Sequence, residues 1–325
     1  MRQGETAPKG AWTGSPLGGV KAPAALILPD PATRFARTAA RLQTLASGHA
    51  MAEWLSFMAH LAMAQHAACS AMGAIPDLPL AAVERAVGER VAPLAADAHP
   101  PEAVEAEPLG GVGADRRHPA WRDGLTALLD SADAAGGPAA ARAVVASLRG
   151  RSPEAVEALA DGFLGGGVDA SDTGALLYVA AALQVYFTRR AASLPAPVLR
   201  LLPQRGLCPC CGSTPVAGVV TEAGRSPGAR YLHCSLCSTA WNHVRAVCIT
   251  CGGSRSLVLQ GIEGDPGVVK AETCGECHTY AKMLYQGRDV GVDPFADDLA
   301  SLGLDILVAE AGWSRHAPNP LLLVG

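Results

Sequence analysis

A chain of 325 residues, 49% hydrophobic and 17% charged, has apolar material for two or three domains. Its formal net charge of −4 excludes the strongly basic balance of a protein built to hold a polyanion. Only 5% of the residues are aromatic and alanine is abundant, which favours helices over the larger part.

Residues 1–29 are rich in Gly, Pro and small polar side chains, with neither a twin arginine nor an apolar run long enough for export. They predict a flexible N-terminal tail on a cytoplasmic protein. Asp30-Pro31 is a helix start signal, and Phe35, Ala36, Ala39, Ala40, Leu42 and Leu45 then recur at helical spacing up to Ser47-Gly48. A second helix is predicted over 49–72, carrying Trp54, Leu55, Met58, Leu61, Ala62 and Cys69. Glu53, His60, Gln65 and His66 interrupt it too often for a bilayer span, so no membrane insertion is expected. His60 and His66 stand on different faces and predict packing, not a shared metal; Cys69 reads as a small buried hydrophobe.

Further helices are predicted over 80–94, 119–130, 138–148, 153–163 and 173–192, with a Pro, Glu and Gly-rich loop over 98–115. Gly165-Gly166-Gly167 lacks the Lys-Ser/Thr of a phosphate loop and reads as flexible linkage. Neither a Ser-His-Asp set nor paired carboxylates stand out, so residues 30–195 read as an all-α domain without a recognisable active site, in a protein that is not an enzyme.

Pro195, Pro197 and Pro203 end the helical part. Beyond them, eight of the ten cysteines form four C-x-x-C pairs: Cys208/Cys211, Cys234/Cys237, Cys248/Cys251 and Cys274/Cys277. Each of the first four recurs forty positions later, so the segment is two copies of C-x2-C-x22-C-x2-C. Two thiolates separated by two residues can enter one site from a tight turn, and glycine helps the turn close; Gly212, Gly252, Gly253 and Gly275 lie at or beside three of the four pairs. The pattern is that of two four-cysteine metal sites, structural because four thiolates leave no position open for substrate. Ligand sets within each repeat are the simplest arrangement, a cross-braced one satisfies the same spacing, and disulfides suit a reducing compartment poorly. Tetrahedral thiolate sites accept iron and zinc alike.

The expected fold is multidomain: the α-helical domain, then two small rubredoxin-like (zinc-ribbon-like) β modules over 205–245 and 246–325, the second with a C-terminal tail. Short β-type runs at Pro215–Val220 and over 268–271 lie between the knuckles. Modules of about 40 residues need a metal to fold, and each ion supplies on the order of 10 kcal/mol. Cys210, inside Cys208-Pro209-Cys210-Cys211, reads as a solvent-facing spare thiol, with a reactive thiol of lowered pKa as the sharper alternative. Tyr231 and Trp241 read as packing over the first module. Asp297-Asp298 reads as a solvated helix start, or as a site for a partner's basic segment.

From Leu207 onward, eight Lys/Arg face eleven Asp/Glu, a formal −3, so the basic footprint of a nucleic-acid-binding zinc ribbon is missing. A rubredoxin-type electron carrier stays open, as does a homodimer. The stretches Cys208-Pro209-Cys210-Cys211-Gly212-Ser213-Thr214-Pro215, Arg230-Tyr231-Leu232-His233-Cys234-Ser235-Leu236-Cys237 with Trp241, and Lys270-Ala271-Glu272-Thr273-Cys274-Gly275-Glu276-Cys277 with Tyr280 and Lys282 resemble the FdhE family of formate dehydrogenase accessory proteins. So do Ala296-Asp297-Asp298-Leu299-Ala300 and Asn319-Pro320. The resemblance implies a cytoplasmic, non-catalytic assembly factor that binds the catalytic subunit of formate dehydrogenase before twin-arginine export. It also implies iron, with the eight C-x-x-C cysteines as metal ligands. Cys210 departs from the pattern, which calls for an aliphatic residue there.

Overall fold

The computed structural model describes residues 22–98, 117–167, 169–222, 227–317 and 319–322. Most of the expected tail, and nearly all of the expected loop over 98–115, lie outside the described residues. The helical part comprises α1 (Arg34–Ala46), α2 (Ala52–Ala71), α3 (Leu80–Gly88), α4 (Pro93–Ala98), α5 (Ala120–Ala134), α6 (Ala139–Arg149), α7 (Pro153–Gly165) and α8 (Thr173–Ala192). The single helix expected over 80–94 is two, because Arg90 takes a left-handed φ of 62° and Pro93 cannot donate to a continuing helix. Among the described residues, no helix is long and apolar enough to cross a membrane.

α8 is buried round its whole circumference, with every residue from Tyr178 to Thr188 shielded. A helix apolar on all sides belongs at the centre of its fold, and α2, α5, α6 and α7 pack around it. Two of its buried polar side chains, Gln184 and Thr188, point to the sheet. Gln184 accepts from Gln65 Nε2 (2.9 Å) and donates to the Ser235 carbonyl (2.8 Å), while Thr188 Oγ1 lies 3.1 Å from Ser238 Oγ.

Strands β1 (Leu26–Ile27), β2 (Pro215–Val220), β3 (Arg230–Cys234), β4 (Ala240–Asn242), β5 (Leu257–Gln260), β6 (Val269–Cys274), β7 (Thr279–Tyr285) and β8 (Ser314–Arg315) form one sheet. Its order is β1-β4-β3-β2-β7-β6-β5, with β8 beside β7. Each cysteine repeat contributes an antiparallel three-stranded unit, β2-β3-β4 or β5-β6-β7. The units join through a parallel pairing of β2 with β7, Gly218 opposite Met283. The joint is close: a Cβ on Gly218 would lie 2.6 Å from Met283 Sδ, so any larger residue would make the methionine side chain move. Two modules too small to bury a core alone thus share a sheet, and the first is covered by the helices. Leu232, Leu236 and Trp241 lie in the same apolar core as Phe35, Leu55 and Leu183.

Helices α9 (Ala296–Ala300) and α10 (Leu302–Glu310) close the second unit. Asp297 and Asp298 are buried at 3% and 0% exposure, against the expectation of a solvated or partner-facing pair. Asp297 takes both Arg41 nitrogens, at 2.9 and 2.6 Å, which ties α9 to α1. Asp298 faces Lys282 Nζ (3.3 Å), Asn319 Nδ2 (3.0 Å) and the Arg315 guanidinium. Their run of small and acidic residues hides that the cations answering them come from elements 16 to 256 residues away in sequence.

Candidate metal centres

The first centre is built by two turns. Cys208 N–H donates to the Ser213 carbonyl (2.9 Å) and Gly212 N–H to the Cys208 carbonyl (2.9 Å), a knuckle that requires the left-handed φ of 78° at Gly212. The opposing turn follows β3, with Ser238 at φ 61°. Leu236 and Cys237 both aim their amides at Cys234 Sγ, at 3.4 and 3.3 Å, and Cys210 N–H lies 3.4 Å from Cys208 Sγ. Amides directed at sulfur favour the thiolate, which is the form that binds metal.

The second centre repeats the knuckle and the left-handed residues of the first, with a different set of amides on its sulfurs. Cys248 N–H meets the Gly253 carbonyl (2.8 Å), Gly252 N–H the Cys248 carbonyl (3.1 Å), and Gly252 and His278 take φ values of 73° and 56°. Thr250 N–H lies 3.4 Å from Cys248 Sγ and Gly253 N–H 3.4 Å from Cys251 Sγ.

In each group the four sulfurs lie within 4.8 Å of one another, and the groups are Cys208, Cys211, Cys234, Cys237 and Cys248, Cys251, Cys274, Cys277. The sets therefore fall within each repeat, not across them. The nearest sulfurs are 3.4 and 3.5 Å apart in the first and 3.7 Å in the second. A tetrahedral metal with bonds of about 2.3 Å holds sulfurs about 3.8 Å apart, so both groups could hold a metal ion. No disulfide joins any of the ten cysteines.

The two centres differ in environment. All four cysteines of the first are buried beneath α8, whereas Cys251 is exposed and Cys277 half-buried. Burial pushes the Cys208, Cys234 and Cys237 thiols above their ordinary range; it also raises Cys211, but hydrogen bonds from the other three thiols outweigh it and hold Cys211 well below, so the four ionise together only against a cation. Burial also raises Cys277, but the Thr279 hydroxyl and amide outweigh it and bring the thiol down to about 7.

Cys210 corrects the expectation of a solvent-facing thiol. It is 0% exposed, and its carbonyl accepts from Leu94 N–H (2.9 Å), so it packs where the first knuckle meets α4. The equivalent Thr250 lies at the surface, its hydroxyl 2.6 Å from His316 Nδ1. Trp241 is fully buried and donates Nε1–H to the Arg205 carbonyl (2.9 Å), a packing role as expected. His60 is exposed and His66 half-buried, and neither joins a centre. Sequence reasoning passed over Thr239 and Thr279, whose hydroxyls sit 3.2 and 3.1 Å from the closing sulfurs Cys237 and Cys277. The signal was a threonine two positions after the last cysteine of each repeat.

Three family models match in succession: FdhE, N-terminal, over 23–202; FdhE, central domain, over 207–245; and FdhE, C-terminal domain, over 246–322. The chain is 39% identical over 306 residues to a Protein FdhE homolog of Edwardsiella ictaluri, covering 93% of this chain and 92% of the relative. It is 35% identical over 312 residues to one of Rhizobium meliloti, covering 95% and 96%. The crystal structure of the FdhE protein from Pseudomonas aeruginosa is similar with a TM-score of 0.78 at 33% identity, over 92% of this chain and 99% of that one.

Proposed function

The chain belongs to the FdhE family, and from that premise we propose that it is a non-catalytic factor that assists maturation of formate dehydrogenase by binding its catalytic subunit. The observation that carries this is the closure of both centres. Four converging thiols, all four buried in the first group and two of them in the second, complete a tetrahedron and leave no position for a substrate. Metal bound there fixes the knuckles and through them the sheet, so the product of the site is a surface rather than a reaction. The eight C-x-x-C cysteines are the ligands in this proposal, and iron is the metal, with zinc as the competing occupant of the same donor set. Free thiols in this number suit the cytoplasm, where the client would be met before export.

The half-exposed second centre supports a second role for iron, as a redox-responsive element at the partner surface, because oxidants in solvent can reach its sulfur at Cys251. Anaerobic metal analysis with visible absorption, beside capture of the purified catalytic subunit, tests both. About two irons per chain with thiolate-to-iron bands and client capture support the full proposal. Zinc with capture keeps the assembly role and removes the redox one. Metal without capture returns the protein to the electron-carrier class.

A further inference from the structure

The two cysteine repeats agree in strand register as well as in spacing. β3 pairs with β4 as Leu232↔Trp241 and His233↔Ala240; forty positions on, β6 pairs with β7 as Glu272↔Ala281 and Thr273↔Tyr280. β2 meets β3 through Gly218↔Leu232 and Val219↔Tyr231, and β5 meets β6 through Leu259↔Glu272 and Gln260↔Ala271. By these partners Gly218 corresponds to Leu259, and Val219 to Gln260.

The copies part at one edge. The side of β2 away from β3 is covered by β7, which runs parallel and sets Met283, Leu284 and Tyr285 against Gly218, Val219 and Val220. The corresponding side of β5 ends the sheet, and among the described residues no strand covers it. The difference shows in burial: β2 is shielded at all six positions, whereas Val258 is 57% and Leu259 46% exposed. Edge strands normally carry a lysine, a proline or a bulge that discourages pairing. Leu257-Val258-Leu259-Gln260 carries none of these, and its register with β6 is uninterrupted.

We propose that the outer edge of β5 receives an extended segment of the formate dehydrogenase catalytic subunit, which adds to the sheet parallel to β5 as β7 adds to β2. This deepens the assembly role proposed above and rests on it. Charge defines the occupant further. Arg255, with its side chain 89% exposed and 3.7 Å from the Glu276 carboxylate, precedes β5, and exposed Glu263 and Asp265 follow it. A parallel segment that is acidic before its apolar stretch and basic after it meets both ends. A second copy of this chain would close on this edge only by setting its own β5 antiparallel to it, which the sedimentation arm of the test below decides. Its β7 is already paired on both sides, and joining β5 to the two-residue β1 at the far end of the sheet of another copy would propagate without closing. Leu257 lies opposite Cys274, so a docked segment would lie one strand from the more exposed centre.

The test is hydrogen exchange on the metal-loaded full chain, alone and with the purified catalytic subunit, beside affinity measurements on wild type and V258K/L259K. Slowed exchange over 257–261 in the complex, with at least a tenfold affinity loss in the double variant at unchanged metal content and circular dichroism, is expected. V290K, which places a charge at an 82% exposed valine outside this edge, binds as wild type. Capture of the subunit with equal affinity by wild type and double variant, and no protection over 257–261, overturns the docking edge while the assembly role stands. Failure of wild type to capture the subunit sinks both. A wild-type dimer in sedimentation that the double variant abolishes assigns the edge to self-association and overturns the proposal too. Should the double variant lose its fold, the exchange result on wild type decides alone.

Discussion

Gln184, at the middle of the central helix, donates Nε2–H to the carbonyl of Ser235 across 2.8 Å. The turn between Cys234 and Cys237 therefore hangs from the core of the helical part, and Gln65 locks the glutamine from behind. Replacing Gln184 with Leu keeps the volume but orphans a buried carbonyl and one donor, at a cost of about 1–3 kcal/mol. Denaturant titration of the holoprotein should show that loss, and the first centre alone should shed its metal faster. Equal acceleration at both centres would mean that the turn is held by other contacts.

The contrast between the centres predicts two-phase metal release. A chelator competing at neutral pH should remove about half of the metal quickly, from the centre with Cys251 exposed, and the rest only as the fold opens. C251S should retain one metal per chain with the helical signal intact, while C234S leaves three buried thiols without their ion beneath α8 and should lower the thermal midpoint by several degrees. Metal content by elemental analysis and circular dichroism report both outcomes. Single-phase release of both ions would show that the centres open together.

The cysteine spacing predicts four two-thiol turns, because a C-x-x-C turn is a local structure, but whether the turns group within each repeat or across them is decided only by the fold, which groups them within each. The helices over 139–149 and 173–192 are equally legible, since their apolar runs, the proline start of the first and the polar start of the second are local too. The shared sheet is not. Its central joint is Gly218 against Met283, 65 positions apart, and a glycine in a short apolar run carries no sign of which strand will approach it. The burial of Cys210, Asp297 and Asp298 escapes for the same reason: each is decided by a long-range partner, Leu94 for the first and Arg41, Lys282 and Arg315 for the acids.

Those partners make the C-terminal cluster a stability determinant. Lys282 and Asp298 are both fully buried, Lys282 also bonds Asp305 at 2.5 Å, and Tyr280 donates to the other Asp305 oxygen at 2.7 Å. D298A leaves a buried ammonium and the Arg315 guanidinium short of a counter-charge, and should cost about 3–5 kcal/mol. K282M/D298N removes charge of both signs and should cost less than D298A alone, measured as denaturation midpoints of the holoproteins. A double variant worse than the single one would show that the ion pair itself, and not an unpaired charge, is what the site depends on.

His243 predicts the sign of the acid response. Burial, then the Arg230 guanidinium 2.7 Å from its Nδ1, depress its pKa to about 4, against about 6.5 for a free imidazole. The unfolded chain therefore takes up the proton first. The contribution of neutral His243 to stability is complete above about pH 6.5, and is lost progressively as the pH falls toward 4. H243Q cannot take up that proton, so its stability deficit relative to wild type should shrink between neutrality and about pH 5 by on the order of 1–2 kcal/mol. Comparing the two proteins at each pH cancels the acid sensitivity of the thiolate centres, which both share. A deficit that stays constant over that interval would mean that His243 takes up its proton in the fold at the pKa of a free imidazole, with Arg230 turned away from its ring.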